Sequence, residues 1–210
     1  VGSPVGVLEA DDVLLLALPG SATQSEALAA LAARGVVPAR VVLISSTGFY
    51  GATASGRIDA SSPPGGTPRA QRVAEAEQAL VAYAGARGVA LRCGGLYRPG
   101  RGPLSALRNR GTAPMGPPDK HLALVHYEDA AAAALAALRH PSPRPVYVVV
   151  APPLPTRQQF YLAACVLLDL PLPTFAPPLG GAPLAYEVGP LQADLLPAFA
   201  HPRWQAALVP

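Results

Sequence analysis

Apolar residues in this chain fall into short unbroken runs and longer, interrupted ones. Asp12-Val-Leu-Leu-Leu-Ala-Leu18 (closed by Pro19-Gly20), Arg40-Val-Val-Leu-Ile-Ser45 and Gly88-Val-Ala-Leu-Arg-Cys93 are short and continuous. That pattern belongs to strands covered on both faces. Residues 25–34 and 68 to about 86 are longer, rich in Ala and Leu, and mixed with polar positions, which predicts helices. Gly35 closes the first helix, and Pro68 opens the second where its missing N–H costs little. Strand, helix, strand, helix, strand in this order predicts parallel pairing in an α/β sheet.

The pattern loosens after residue 93. It predicts a loop at 96–102, a short helix at 104–110, a Pro/Gly stretch at 114–118 and a strand at 122–125. Residues 130–139 are almost pure Ala and Leu and predict a helix, with Asp129 placed to cap its N-terminus. A strand at 145–150 and a helix from 156 to about 168 follow. Two weak elements, at 184–188 and 190–196, lie in a proline-rich ending. Residues 51–66, built from Gly, Ser, Thr, Asp and Pro, read as a loop.

Composition narrows the class. Half of the 210 residues are hydrophobic, enough for one large core. With 20 Gly and 26 Pro the chain stays just under the roughly 25–30% at which such a sequence reads as disordered. Charged residues are only 14% and the net charge is +3. Arg34, Arg40, Arg57, Arg69, Arg72 and Arg87 are dispersed, and aromatics are scarce, so neither a basic stripe nor a stacking platform for nucleic acid is present. The apolar runs 13–18 and 130–138 fall short of the ~18–20 residues that span a bilayer, and no signal-peptide layout opens the chain. Cys93 and Cys165 form no disulfide framework and read as buried small hydrophobes. The expectation is a soluble intracellular protein of the cytoplasm or an organelle stroma.

Chemistry concentrates in Leu43-Ile-Ser-Ser-Thr-Gly-Phe-Tyr-Gly51, a hydrophobic strand that ends in hydroxyls. In an open parallel sheet ligands bind beyond the carboxyl ends of the strands. Ser45, Ser46 and Thr47 are therefore expected at the mouth of a site; the alternative is that they only close a strand end. His126 and Asp129 could form an acid–base pair, but Asp129 at a helix start reads first as structural. His121, His140 and His201 are isolated in sequence, and no metal-ligand spacing is present.

These blocks resemble the extended short-chain dehydrogenase/reductases, in particular the atypical NAD-dependent epimerase/dehydratase-like members. Ser45-Ser-Thr-Gly-Phe-Tyr-Gly51 is similar to the family block "SSTxxYG", and Leu91-Arg-Cys-Gly-Gly-Leu-Tyr-Arg-Pro-Gly-Arg101 to "LRxxxIYGPGR". Val125-His-Tyr-Glu-Asp-Ala-Ala131 resembles "IHVxDLA", and Phe199-Ala-His-Pro-Arg-Trp-Gln-Ala-Ala-Leu208 resembles "YPxYRxGL". The resemblance implies a Rossmann-like parallel sheet with flanking helices and a small C-terminal substrate lobe. Residues 1–150 would form a partial NAD(P)-binding domain and 151–210 the lobe, intertwined with it through 94–125. It implies NAD or NADP as cofactor and a sugar-nucleotide-like or other hydroxylated small molecule as substrate. Ser46 and Thr47 fall at catalytic positions; Leu18, Pro19, Ser45, Gly94, Gly95 and Leu96 fall beside the cofactor. Helices like 25–34 and 68–86 often carry a homodimer interface in such proteins.

The sequence also departs from that pattern. Where the family carries Tyr-x-x-x-Lys, alignment on Glu77 places Arg69 and Val73. Arginine cannot donate a proton near neutral pH. Leu124 stands where related chains often carry Arg. Residues 1–11 hold only Gly2 and Gly6 in place of a Gly-x-x-Gly-x-x-Gly turn. Asp12 thus opens what would be the fourth strand of the order 3-2-1-4-5-6, leaving 13–18 as an exposed edge. Together with Val1 in the first position, this predicts a chain truncated at its N-terminal side. Three readings stay open: an epimerase/dehydratase- or reductase-like enzyme, a non-catalytic nucleotide sensor or interaction protein on the same scaffold, and an inactive fragment.

Overall fold

The structure is a computed structural model and describes residues 8–51, 56–107 and 115–208. In chain order its elements are β1 (Val13–Leu16), α1 (Ser21–Ala33), β2 (Arg40–Ser46), β3 (Arg57–Ile58), α2 (Pro68–Ala84), β4 (Gly88–Cys93) and β5 (Gly95–Tyr97). Then come α3 (Pro103–Leu107), β6 (Leu124–His126), α4 (Tyr127–Arg139), β7 (Val146–Val149), α5 (Arg157–Leu167), β8 (Ala185–Tyr186) and α6 (Gly189–Asp194). Single 3-10 turns follow β2 at Thr47–Tyr50 and close the described chain at Trp204–Leu208.

The main sheet has the order β1-β2-β4-β7, and every pair in it is parallel. This is the α/β, Rossmann-like sheet that the sequence predicts. Consecutive side chains of a strand point to opposite faces, and both faces of the central strands are covered. Val41, Leu43 and Ala90 pack with Leu28 of α1 and Leu80 and Tyr83 of α2. On the other face Val42, Val89 and Leu91 meet Ala130, Ala133, Ala134 and Ala137 of α4 and Leu191 of α6. The alanine stripe lets α4 lie close to the strands.

β1 is the exposed edge strand expected for 13–18, not the strand covered on both faces that its apolar run alone suggests. Only Leu16 is buried, while Val13 is 54% and Leu15 40% exposed. Among the described residues β1 has one strand neighbour, and only its Leu14 and Leu16 side joins a hydrophobic cluster. An apolar run alone does not distinguish a central strand from an edge strand.

Boundaries shift elsewhere. The first helix begins at Ser21 rather than 25, and the second ends at Ala84 rather than 86. Thr67 caps α2, its hydroxyl accepting the Ala70 N–H, and Pro68 occupies the first turn as expected. α3 ends at Leu107; the predicted continuation to 110 lies outside the described residues. The expected loop at 96–102 begins with β5, which pairs parallel with β6, Leu96 opposite Val125. The strand expected at 122–125 runs from Leu124 to His126. A second core lies under this pair, where Tyr97, Met115 and Leu124 pack with Phe160 and Ala164 of α5 and with Leu208. β3 and β8 make a further small parallel pair, and an Arg57–Glu187 ion pair ties them together.

Asp129 does not cap α4. The helix starts earlier, and His126 is its N-cap, the ring Nδ1 accepting the Glu128 N–H at 3.2 Å. Asp129 is left in the first turn, and its buried carboxylate accepts the N–H groups of Ala200 and His201 at 2.7 and 3.1 Å.

Candidate functional site

The carboxyl ends of β2 and β4 open into two neighbouring cavities. The larger, about 700 Å³, is lined by Ser46, Thr47 and Gly48 at the end of β2, by Gly94, Gly95 and Leu96 after β4, and by Lys120, Tyr161 and Tyr186. Its size suits a cofactor or drug-sized ligand. The smaller, about 470 Å³, lies between β1, α1 and α2, with Leu18, Ile44 and Val73 as apolar walls and Arg69 and Arg72 at its side. Ser45, Ser46 and Arg69 belong to both, so the strand-end hydroxyls and one guanidinium stand where the cavities meet.

The two serines are turned to different tasks, as adjacent strand positions must be. Ser45 is buried, and its hydroxyl donates to Glu77 Oε1 at 2.5 Å. Ser46 Oγ accepts the Gly48 N–H at 3.0 Å and so caps the 3-10 turn. That leaves the Ser46 proton uncommitted among the described residues. The Thr47 side chain and the Tyr186 phenol line the same cavity. Burial first, then the neighbouring Tyr50, push that phenol up to about 12 against the opposing influence of Thr47. Tyr186 therefore stays protonated, a donor rather than a base.

Behind the hydroxyls lies a buried ionic network. Arg92 donates to Glu77 through Nε at 3.0 Å and Nη2 at 2.8 Å, and through Nη1 to Tyr50 at 2.9 Å and to the Ala60 carbonyl at 3.0 Å. Its guanidinium lies 3.4 Å from the centroid of the Phe49 ring, a cation–π contact. Burial, the largest single influence, works against this charge, but Glu77 and Tyr50 together outweigh it and hold Arg92 above its ordinary value. Tyr50 donates its own proton to the Asp59 carbonyl, so the tyrosine of the strand-end block is a strut. Sequence reasoning did not find this network, although an arginine and a glutamate inside otherwise apolar segments were its signal.

Gly94 and Gly95 both line the larger cavity, yet their lack of side chains also has a structural cause. A Cβ on Gly94 would stand 2.9 Å from the Ala123 carbonyl carbon, where β4 passes the start of β6. Leu18 borders the smaller cavity, and Pro19 is exposed and lines neither. Burial pushes the Cys93 thiol up to about 12, which keeps it protonated and unreactive. Lys120, the sole lysine of the chain, and Arg69 are the cations of the larger cavity. Burial first, then Arg157 and Arg69, hold the Lys120 amine below the ordinary lysine value. Sequence reasoning passed over Lys120 and Tyr186 because the fold brings them to β2 from more than seventy residues away.

His201 is not isolated. Its ring stacks on His126 at 3.7 Å, and Nε2 lies 2.6 Å from Glu128 Oε2. The three side chains offer ligand atoms within 4.8 Å of one another. The two rings are tilted by 34°, and His126 Nδ1 is already taken by the Glu128 N–H. The cluster reads as a clasp that fastens the C-terminal segment to α4.

No family model matches the chain. Protein YeeZ of Escherichia coli (strain K12) is 34% identical over 137 residues, which are 65% of this chain and 48% of YeeZ. The chain thus spans about half the length of the curated relatives it matches. A functionally unknown conserved protein from Silicibacter pomeroyi DSS superposes with a TM-score of 0.73 at 24% identity, over 98% of this chain and 79% of that one. Human epimerase family protein SDR39U1, solved with NADPH, gives 0.68 at 20% identity over 90% and 70% of the two chains. MoeE5, solved with UDP-glucose and NAD, gives 0.69 at 21% identity over 89% and 67%. The chain shares the fold of these solved structures, a Rossmann-like parallel sheet with flanking helices. Within it, this sequence has neither the Gly-x-x-Gly-x-x-Gly turn nor a Tyr-x-x-x-Lys pair. Among the described residues, no helix is long and apolar enough to cross a membrane.

Proposed function

We propose that this chain belongs to the epimerase/dehydratase- and reductase-like proteins whose fold it shares, and that its cleft places a hydroxyl- or carbonyl-bearing small molecule beside NAD or NADP. In this reading residues 1–150 carry the cofactor side and 151–210 the substrate lobe. One observation carries it: Ser46 Oγ is held by the Gly48 N–H where the two cavities meet, with its proton free to point at a ligand.

The residues present fit the nicotinamide half of such a cofactor. Leu18, Ile44 and Val73 offer an apolar slot for a flat ring, and Arg69 and Arg72 stand beside it as partners for phosphate. The bound cofactor would supply hydride exchange. The chain's own contribution starts at Ser46, whose hydroxyl donates to the substrate oxygen and draws electron density toward it. Thr47 and Tyr186 stand beside Ser46 as further proton carriers, with Tyr186 restricted to donating. Arg69 stabilises negative charge but moves no proton. The Ser45–Glu77–Arg92 network fixes the strand ends, so Ser46 keeps its aim.

A second reading, a nucleotide sensor without turnover, draws on Arg69 and Val73 standing where the family carries its acid–base pair. The two separate on Ser46→Ala. An enzyme loses at least tenfold in turnover of NADPH with hydroxylated or carbonyl substrates while cofactor binding is kept. Binding retained with no turnover in either protein supports the sensor and contradicts the enzyme.

A further inference from the structure

Proton transfer is the step that the hydroxyls of the cleft leave open. Burial pushes Tyr186 and Cys93, which both line the larger cavity, up to about 12. The aliphatic hydroxyls of Ser46, Thr47 and Thr67 are weaker acids still. Ser45 is spent on Glu77, and Arg69 keeps its proton near neutral pH. Tyr161 packs its ring edge-on against Phe160 at the second core. Among the described lining residues this leaves two nitrogen acids, Lys120 and His121.

These neighbours stand in the wall that the larger cavity shares with a third one, of about 350 Å³, lined also by Asp119, Thr156 and residues 179–184. Their surroundings differ. The Asp119 carboxylate accepts the Leu179 and Gly180 N–H groups at 2.9 and 2.7 Å. The Leu179 bond first, then Gly180 and at the end His121, hold it below the ordinary carboxylate value, so His121 belongs with that carboxylate. Lys120 instead feels Arg157 and Arg69. Arg69, although exposed, marks the direction: the point where a Gly48 side chain would begin is 3.3 Å from its Nε and 3.2 Å from Ser46 Oγ. The half-buried ammonium therefore stands toward the Ser46 side, and among the described residues no carboxylate pairs with it. Burial and like charges both favour its neutral form, which makes it a readier donor than a free lysine.

We infer that Lys120 is the proton donor of the cleft, its ammonium delivering a proton to the carbonyl oxygen that Ser46 holds. An N–H bond of Lys120 breaks with its electron pair left on nitrogen, and an O–H bond forms on the substrate. The carbonyl carbon takes the hydride of the reduced nicotinamide, which leaves oxidised, and the neutral amine regains its proton from water. This rests on the reductase-like reading above and supplies the donor that Arg69 and Val73 cannot.

The test follows NADPH oxidation by the full chain with ethyl acetoacetate and with acetophenone. Lys120→Met and Lys120→Arg are both expected to lose at least about a hundredfold in kcat, the usual worth of a general acid, while NADPH binding is kept. The distant Arg34→Gln stays unchanged. Turnover kept by Lys120→Arg would reduce the role to charge, and a loss in His121→Gln or Tyr161→Phe with Lys120→Met unaffected would move it elsewhere; either overturns the proposal. Turnover that survives Lys120→Met overturns this proposal alone, whereas none in the unmodified protein overturns the enzyme reading with it. A second readout needs no turnover. Lys120 is the sole lysine, so its acetylation rate against pH, read by peptide mass spectrometry, follows one amine. It should titrate below the ~10.4 of an ordinary lysine and move up in Arg157→Gln; titration at or above that value overturns the proposal.

Discussion

Glu77 on α2 holds Arg92 of β4 with both carboxylate oxygens, at 2.8 Å from Nη2 to Oε2 and 3.0 Å from Nε to Oε1. The same Oε1 accepts the Ser45 hydroxyl, and Ser45 lies directly opposite Arg92 in the sheet register. One carboxylate thus locks a helix to the two strand ends that frame the cleft. Removing one partner of a buried pair strands the other charge, at a cost of roughly 3–5 kcal/mol. Glu77→Ala is expected to lose that much in urea unfolding, and Glu77→Gln less, since its amide oxygen still accepts from Ser45 or Arg92. A loss below about 1 kcal/mol in Glu77→Ala, the range of a surface pair, would show that the network is not buried as described.

Asp129 fastens the C-terminal segment rather than the helix beside it. Its two hydrogen bonds to Ala200 and His201 are charge-assisted and inside the fold, each worth about 1.5–3 kcal/mol. Asp129→Ala is expected to lower the melting temperature and to speed amide exchange at residues 200 and 201 before the sheet exchanges. If exchange instead rose first at the start of α4, the carboxylate would be a cap after all.

The clasp predicts a pH dependence with a fixed sign. Burial first, then His201, hold the His126 imidazole below its ordinary 6.5, against the pull of Glu128 and Asp129. The unfolded chain accepts a proton at 6.5 that the folded chain resists. Stability is therefore full above that pH and falls as pH drops through it toward the lower folded value. Glu128, held low mainly by its hydrogen bond to His201, loses its contribution only at more acidic pH. Melting temperatures across this range should decline below about 6.5, and the decline should shrink in His126→Gln. A profile that rises on acidification contradicts the assignment.

Gly94 and Gly95 separate packing from ligand contact. A Cβ at Gly94 would meet the Ala123 backbone at 2.9–3.0 Å, while at Gly95 its nearest neighbours are at 3.3–3.4 Å. Gly94→Ala is expected to cost about 1–3 kcal/mol through overpacking, and Gly95→Ala clearly less, in chemical denaturation. Equal stability of the two variants would mean that the β4–β6 junction is looser than the geometry indicates.

The sheet was legible because its signal is local. Continuous runs such as Val41-Val-Leu43 mark strands that bury both faces, and Gly35 and Pro68 mark where helices end and begin. The position of β1 at an edge was not legible from its own residues, because Val13 and Leu15 look like core until their neighbours are known. At the site, the sequence showed Ser45, Ser46 and Thr47 but not that Ser45 is spent on Glu77. Nor could it place Lys120 and Tyr186 in the same cavity with them, or His201 on His126. Those contacts are made by separate parts of the chain, and local periodicity carries no record of them. Asp129 shows the opposite hazard: a capping motif with sound chemistry was drawn to a different set of N–H groups.

The central claim is that NAD(P) lies where the two cavities meet, over Ser46 and Gly48. Titration of the chain with NADH and NADPH, read by nicotinamide fluorescence, compares the unmodified protein with Gly48→Val, whose side chain would fill the space between Ser46 and Arg69. The account predicts saturable binding by the unmodified protein and its loss in a variant that keeps the same circular dichroism. Absence of binding at millimolar cofactor, or equal binding by both proteins, would contradict it.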